Sequence, residues 1–129
     1  MTPEIISSDG VEVEELKARK NLYYYHLMKG NKHLMLIVHM RSRIAITSLE
    51  NNPEGTSTAG ATTLLYQKAL SIMRNLAQES GRSISYRFRT SDQKMQAWLR
   101  SPDKGQTVLA GAEIRDAPVG IEAILEIKP

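Results

Sequence analysis

The stretch with the clearest chemical potential is PEGTSTAGATT at positions 53–63, a run of glycine and hydroxyl residues that leads into a helical pattern. Backbone N–H groups at the start of a helix lack partners within the helix, and the helix dipole places positive charge there. Such groups bind phosphate and other anions. The segment therefore suits a phosphate-bearing ligand, and its hydroxyl residues suit ordinary helix capping equally well.

Two side chains near predicted strands have the chemistry of a general base. Glu50 follows the run RIAITSL at 43–49, and His39 lies in the run HLMLIVHM at 33–40. A carboxylate or an imidazole can accept a proton from a group within hydrogen-bond distance, directly or through one water. Each is equally compatible with a solvated position on a strand or at its end.

Composition excludes several kinds of site. The chain contains no cysteine, which excludes disulfides, thiolate metal sites and a cysteine nucleophile. The histidines lack metal-ligand spacing with a nearby carboxylate, so we expect no metal site. The longest apolar run is strand-sized, too short for a membrane span, and the first ten residues lack the regions of a signal peptide. We therefore expect a cytoplasmic protein that does not enter a membrane.

The net charge of +3 is mild and favours acidic ligands without diagnosing nucleic-acid binding. Five arginines lie on or beside predicted strands, and three consecutive tyrosines offer rings on which bases could stack. This pattern is typical of a solvated sheet face, and it would also suit a cofactor phosphate or RNA. The residues are Arg41, Arg43, Arg82, Arg87, Arg89 and Tyr23, Tyr24, Tyr25.

The length of 129 residues predicts one domain. We expect residues 1–10 to form a flexible N-terminal arm and residues 11–129 to form the domain. Alternating or aromatic and β-branched runs predict strands. They lie at 22–28, 33–40 and 43–49, with 11–16 as a further strand or the start of a short helix. Short turns between them predict an antiparallel meander.

The period changes to that of a helix at about 61–79, with an apolar stripe. A strand at 83–89, a short helix within 90–101 and two closing strands at 106–114 and 120–128 follow. A strand, a helix and a second strand form a crossover, so the strands at 43–49 and 83–89 should be parallel neighbours. The predicted stripe is Leu65, Ala69, Ile72, Met73 and Leu76, and the predicted sheet core is Leu36, Val38, Ile44, Ile46, Ile84, Phe88, Ile124 and Ile127.

This order resembles the GNAT family of N-acetyltransferases over roughly residues 22–129. That family has a meander, a glycine-rich loop, a long helix, a parallel strand, a second helix and a closing hairpin. The resemblance implies an α+β fold with a mixed sheet in a GNAT-like three-layer arrangement. The segment KARKN at 17–21 leaves no room for the two helices that the family places there, which implies an open acceptor site.

The resemblance implies that the loop before the helix binds the pyrophosphate of acetyl-CoA or another acyl-CoA. The family motif Gln/Arg-x-x-Gly-x-Gly/Ala aligns with residues 57–62, where Gly60 matches the first glycine and Ser57 and Thr62 depart from the pattern. Ser91 aligns with an asparagine of the family. The implied cofactor-binding residues are therefore Ser57, Thr58, Ala59, Gly60, Ala61, Thr62 and Ser91.

The resemblance also implies transfer of an acetyl group to a small-molecule or peptide amine, with Glu50 or His39 as the base. Trp98 aligns with a tyrosine that often protonates the leaving thiolate in the family. Tryptophan has no hydroxyl and donates only through its indole N–H. This departure puts the acid role of that position in doubt.

A second interpretation is a non-catalytic binding or assembly module that keeps the fold and binds RNA or a protein. Trp98, Ser57 and the missing helices favour it. Nucleic acid is the less favoured partner, and a homodimer is compatible with both interpretations. A third, RNase-H-like order requires clustered carboxylates for two metal ions, and the sequence offers no convincing set.

Overall fold

The computed structural model describes residues 5–8, 11–19, 22–29, 34–51 and 61–129. They form eight strands and three helices. The strands are β1 (Ile5–Ser8), β2 (Val11–Arg19), β3 (Leu22–Lys29), β4 (Leu34–Arg41), β5 (Ile44–Asn51), β6 (Ile84–Thr90), β7 (Glu113–Asp116) and β8 (Ile121–Ile127), and the helices are α1 (Ala61–Ser80), α2 (Gln93–Arg100) and α3 (Gly105–Val108).

The strands form one mixed sheet in the order β1-β2-β3-β4-β5-β6-β8-β7. All neighbouring strands are antiparallel except β5 and β6, which are parallel. The predicted α+β class, the antiparallel meander and the parallel crossover through α1 are therefore confirmed. The predicted turn at residues 30 and 31 lies outside the described residues.

Residues 5–8, expected to belong to a flexible arm, form the edge strand β1. Ile5 pairs with Glu14 and Ser8 with Val11 of β2. β-branched residues such as Ile5 and Ile6 favour extended backbone. Pairing with β2 gives this segment backbone partners, which a free arm would lack.

The core lies between α1 and one face of the sheet. Strand side chains alternate between this buried face and the opposite face, as the pleat requires. α1 contacts β2, β3, β4 and β8. The buried strand residues include Val11, Val13, Tyr25, Leu27, Leu36, Val38, Met40, Ala45, Ile84, Tyr86, Phe88, Ile121, Ala123 and Ile127.

The helices of the described chain lie together on that one face, and the GNAT-like part of the expected three-layer arrangement is not confirmed. Trp98 of α2 contacts Thr63 and Tyr66 of α1, and α3 contacts both other helices. The reason is the short link between β2 and β3, which pair directly as neighbours and leave no helix between them. None of the described helices is long and apolar enough to cross a membrane.

The open face of the sheet corrects part of the predicted core. Ile44 and Ile46 of β5 are 44% and 50% exposed, whereas Ala45 and Thr47 face α1. Ile124, also expected in the core, is half-buried. The strand pattern was predicted correctly on β5 but assigned to the wrong face, because a shift of one residue exchanges the two faces.

α1 begins at the predicted residue and ends at Ser80. Its buried face is rotated from the predicted stripe, since Ile72 and Leu76 are only partly buried while Tyr66 and Leu70 are fully buried. Gly81 follows the helix with a φ of 66°. This left-handed conformation is typical of the residue that ends a helix, as the sequence predicts.

The first closing strand was predicted wrongly at 106–114. The chain forms the short helix α3 there, and strand β7 begins only at Glu113. Gly105 allows α3 to pack against the backbone of α2, since a Cβ at this position would lie 2.5 Å from Leu99 Cα and from the Trp98 carbonyl oxygen. This close approach buries Val108 and Leu109 through helical rather than extended backbone.

Glu122 joins the last three strands of the sheet. Its carboxylate lies 2.9 Å from Arg89 Nη2 on β6 and 2.9 Å from Arg115 Nη2 on β7, and its own side chain is 8% exposed. Hydrogen bonds from Arg89 and then Arg115 lower the pKa of Glu122 below its ordinary value. The folded state therefore favours the ionised carboxylate.

Glu122→Gln should lower stability at neutral pH, because the neutral amide loses both ion pairs. A carboxylate with a lowered pKa contributes fully above its unfolded pKa of about 4.3 and loses this contribution as pH falls through the folded value. The difference in urea midpoint between the two proteins should therefore shrink as pH falls below about 4.3. A difference that stays constant from neutral pH into that range would contradict this account.

Candidate functional site

Strands β5 and β6 form a fork. Their described pairing covers residues 44–46 of β5 and 85–87 of β6, beginning next to a hydrogen bond of 2.7 Å from the Ser85 N–H to the Arg43 carbonyl oxygen. Beyond these paired residues, β5 continues beside β4 as far as Asn51, and β6 continues beside β8 as far as Thr90. The two strands therefore separate toward their C-terminal ends.

A cleft of about 1090 Å³ occupies the fork. One wall is formed by residues 47–49 of β5, and the other by residues 88–90 of β6. Thr62 and Tyr66 of α1 also line it, as do Lys94, Met95, Ala97 and Trp98 of α2. The cleft thus lies where two strand ends, the first turns of α1 and one side of α2 meet.

The wall formed by β5 presents backbone hydrogen-bonding groups to the cleft. The Arg43 carbonyl points toward β6, and the direction of these groups alternates along a strand. The C=O group of Thr47 and both backbone groups of Leu49 are therefore directed to the side from which β6 has diverged. An extended ligand that contains amides can bind such an edge as an added strand does.

The start of α1 gives one end of the cleft positive character. The first turn of this helix contains no acidic residue, and its leading N–H groups carry the positive end of the helix dipole. Lys94 and Lys104 also line the cleft. The carboxylate of Asp92 is engaged elsewhere, because Oδ2 accepts a hydrogen bond of 2.9 Å from the Met95 N–H and caps α2.

Aromatic rings form the inner wall. The ring of Tyr66 lies 4.9 Å from that of Trp98 and 5.4 Å from that of Phe88, in the latter case edge to face. The Trp98 indole N–H donates a hydrogen bond of 3.1 Å to Thr63 Oγ1. The single donor of Trp98 therefore fixes α2 to α1, so Trp98 has no further N–H to give to a ligand.

Hydroxyl groups lie beside these rings. Tyr86 and Thr47 share a hydrogen bond of 2.7 Å across β6 and β5. The Tyr66 hydroxyl lies near Thr47 but forms no hydrogen bond of normal geometry with any described group. Burial raises the pKa of both tyrosines well above the ordinary value. Both phenols are therefore protonated at neutral pH, and each carries an O–H group that can donate a hydrogen bond.

The structure brings two of the predicted cofactor-binding residues together. Thr62 and Ser91 line the same cleft, from α1 and from the link between β6 and α2. Ala61 is the first residue of α1 and is completely buried. The remaining members of the predicted loop, Ser57, Thr58, Ala59 and Gly60, lie outside the described residues.

The two predicted base candidates have different outcomes. The backbone of Glu50 belongs to β5, and its side chain lies outside the described part of the structure. His39 is half-buried on β4. Its neighbours Val38 and Met40 face α1, so His39 belongs to the opposite face of the sheet and is not among the residues that line the cleft.

Thr47 and Tyr66 are site residues that the sequence analysis did not identify. Thr47 lies in the strand RIAITSL, where a small polar side chain is also typical of a solvent-exposed position. Tyr66 lies next to Leu65 in the helical stripe, and a phenol among aliphatic residues was its only signal. Their proximity depends on the packing of α1 against β5.

Known proteins do not identify this arrangement. No protein-family model, curated protein or solved structure matches the chain. Within the described residues, no three histidine, aspartate or glutamate side chains form a group that could hold a metal ion. The functional argument therefore depends on the geometry of the fork.

Proposed function

We propose that this protein binds an acyl-CoA in the fork between β5 and β6 and transfers the acyl group to an amine. The observation that carries the proposal is the position of the cleft, which joins an open strand edge to the first turn of α1. The pantetheine arm of CoA contains two amides, and its pyrophosphate is an anion. One end of this cleft suits the first group and the other end suits the second.

In this proposal the pantetheine amides exchange hydrogen bonds with the edge of β5 at Leu49. The pyrophosphate lies against the first N–H groups of α1, beside Thr62, with the residues 57–60 that precede them. Lys94 and Lys104 add positive charge to the cleft. Extended binding along β5 would direct the thioester toward the narrow end of the fork, near Thr47.

The reaction is direct acyl transfer. The amine nitrogen forms a bond to the thioester carbon, the carbon–sulfur bond breaks, and the free thiol of CoA leaves. The proton that the attacking nitrogen loses passes to a base, for which Glu50 on the same strand is the candidate, and the thiolate gains a proton from solvent. The contribution of the protein is to hold the thioester and to place donors near its carbonyl oxygen.

Titration calorimetry with acetyl-CoA tests this proposal, and Thr62→Glu is the informative variant. We expect the native protein to bind in the micromolar range and the variant to bind at least about tenfold more weakly, because the new carboxylate repels the pyrophosphate. The same change should raise stability by about 0.5 kcal/mol, since an acidic residue in the first turn complements the helix dipole. Loss of binding would therefore not reflect unfolding.

Thr62→Gln is the matched control, because it has a similar shape and no charge. It should bind acetyl-CoA nearly as well as the native protein. Equal weakening by both variants would remove the electrostatic argument for a pyrophosphate at α1. Absence of binding by the native protein would contradict the proposed function itself.

A non-catalytic module is the second candidate, and the open face of the sheet favours it. Ile44 and Ile46 are exposed there beside the exposed Arg41 and Arg87. Exposed apolar side chains among arginines suit a protein surface with acidic groups. Failure to bind acetyl-CoA would favour this candidate, and RNA binding that weakens steeply with salt would instead indicate a nucleic-acid partner.

A further inference from the structure

Tyr66 carries a buried hydroxyl that forms no hydrogen bond of normal geometry with the described residues. Its side chain is 1% exposed, and its hydroxyl lies near Thr47 without such a bond to it. Tyr86, the other buried tyrosine nearby, has its hydroxyl bonded to Thr47 at 2.7 Å. Buried hydroxyls are almost always paired because an unpaired one costs free energy. The exception at Tyr66 points to a partner that arrives with a ligand.

The surroundings of this hydroxyl define the chemistry of that partner. The rings of Phe88 and Trp98 contact the Tyr66 ring, and the hydroxyl itself lies near the hydroxyl of Thr47. These neighbours are uncharged and disfavour a charged group. A protonated phenol offers one donor. A small neutral group with a carbonyl oxygen, carried on an apolar body, fits both conditions. The acyl end of a thioester is such a group.

We propose that the Tyr66 hydroxyl donates a hydrogen bond to the thioester carbonyl oxygen of the bound acyl-CoA, in an acyl subsite formed with Phe88 and Trp98. This inference rests on the proposed function and assigns the part of the ligand that the proposal leaves open. It also separates the roles of the two buried tyrosines. Tyr86 holds β5 and β6 together through Thr47, and Tyr66 contacts the ligand.

The hydrogen bond gains importance during the reaction. When the amine nitrogen bonds to the thioester carbon, the carbonyl oxygen becomes an oxyanion, and a donor already directed at it stabilises that charge. The carbon–sulfur bond then breaks, the oxygen returns to a carbonyl, and Tyr66 retains its proton throughout. Because burial raises the pKa of Tyr66, the phenol is far weaker as an acid than a thiol, whose pKa is about 8.5. It is therefore a donor and not the source of the proton that the thiolate gains.

Calorimetry with acetyl-CoA and with CoA tests the inference on the native protein, Tyr66→Phe and Tyr86→Phe. Tyr66→Phe should lower the affinity for acetyl-CoA about fivefold, as expected for loss of one hydrogen bond between neutral groups. It should leave the affinity for CoA unchanged. CoA lacks the thioester carbonyl. A loss of affinity for acetyl-CoA without a loss for CoA therefore isolates the proposed contact. Tyr66→Phe should also unfold at the same temperature as the native protein or a higher one, because the hydroxyl that it removes forms no hydrogen bond of normal geometry with the described part of the chain.

Tyr86→Phe is the matched control, since it removes a hydroxyl that is already bonded. It should lower the unfolding temperature and change the affinities for the two ligands by the same factor. The proposed role of Tyr66 is wrong if Tyr66→Phe lowers the affinity for both ligands equally, or for neither. It is also wrong if this variant unfolds at a lower temperature than the native protein. In each case the proposal that the protein binds acyl-CoA still stands. If the native protein binds neither ligand, the proposed function fails and the acyl subsite fails with it.

Discussion

Gly120→Ala is expected to lower the free energy of unfolding by about 4 kcal/mol, in the range reserved for severe steric or backbone conflicts. Gly120 has a φ of 81° in the turn before β8. A Cβ there would lie 2.0 Å from the Thr90 carbonyl oxygen and 2.7 Å from Ser91 Cα. These are backbone atoms, which cannot rotate away as a side chain can. Urea denaturation measures the loss directly.

The same substitution should also weaken the binding of acetyl-CoA, because Thr90 and Ser91 line the cleft. Gly81→Ala is the matched control. Gly81 also has a positive φ of 66°, but a Cβ at this position would meet no atom within 4 Å, so only the conformational cost of about 1 kcal/mol applies. Similar losses for both variants would mean that the contact with Thr90 and Ser91 is not the cause.

Trp98→Ala is expected to cost about 3–5 kcal/mol, as is typical for removal of a large buried aromatic side chain. Trp98 is 8% exposed, packs on Tyr66 and bonds Thr63. Its loss would separate α2 from α1 and open the inner wall of the cleft. Because Trp98 is the single tryptophan, unfolding of the variant must be followed by circular dichroism and not by indole fluorescence.

Trp98→Phe separates the packing of Trp98 from its hydrogen bond. Phenylalanine keeps a ring against Tyr66 and removes the N–H that bonds Thr63, so the expected cost falls to about 1–2 kcal/mol. If the alanine and phenylalanine variants lose the same stability, packing against Tyr66 is not the main contribution. A loss below about 1 kcal/mol for Trp98→Ala would contradict the buried position of the ring.

The sequence was sufficient to predict the elements whose pattern is local. The meander, α1 and β6 follow from periodicity, and the parallel relation of β5 to β6 follows from the crossover rule. The alternation in ISYRFRT also assigned Tyr86 and Phe88 to one face correctly, because arginines occupy the other face. On β5 the same reasoning failed. Ile44 and Ile46 are more apolar than Ala45 and Thr47, yet the smaller pair is the buried one.

The error on β5 has a physical origin in the placement of the described helices on one face of the sheet. With helices on both faces, isoleucines on either face would be buried, but here one face has no described helix against it. The buried orientation of β5 pairs the Thr47 hydroxyl with Tyr86, a contact between residues 39 positions apart. No local pattern encodes such a pair. The same holds for α3, whose formation depends on the contact of Gly105 with the backbone of α2.

The candidate site was predicted in part for a similar reason. Thr62 and Ser91 were found because a helix start and a strand end are local features. The fork was not predicted, because the sequence of a single strand does not determine how many of its residues pair with a neighbouring strand. Tyr66 was not found either, because the lack of a normal hydrogen bond from its hydroxyl to the described residues becomes visible only in the folded packing.

The fork also has a mechanical consequence. The sheet consists of two antiparallel ribbons, β1 to β5 and β6 to β8, which the described strands join through the pairs at residues 44–46 and 85–87. α1 packs across both ribbons, since it contacts β3 and β4 in one and β8 in the other. The short pairing of β5 with β6 and the packing of α1 are thus what hold the two described ribbons together. A molecule that fills the fork would add a further connection between the ribbons, on the side where β5 and β6 do not pair.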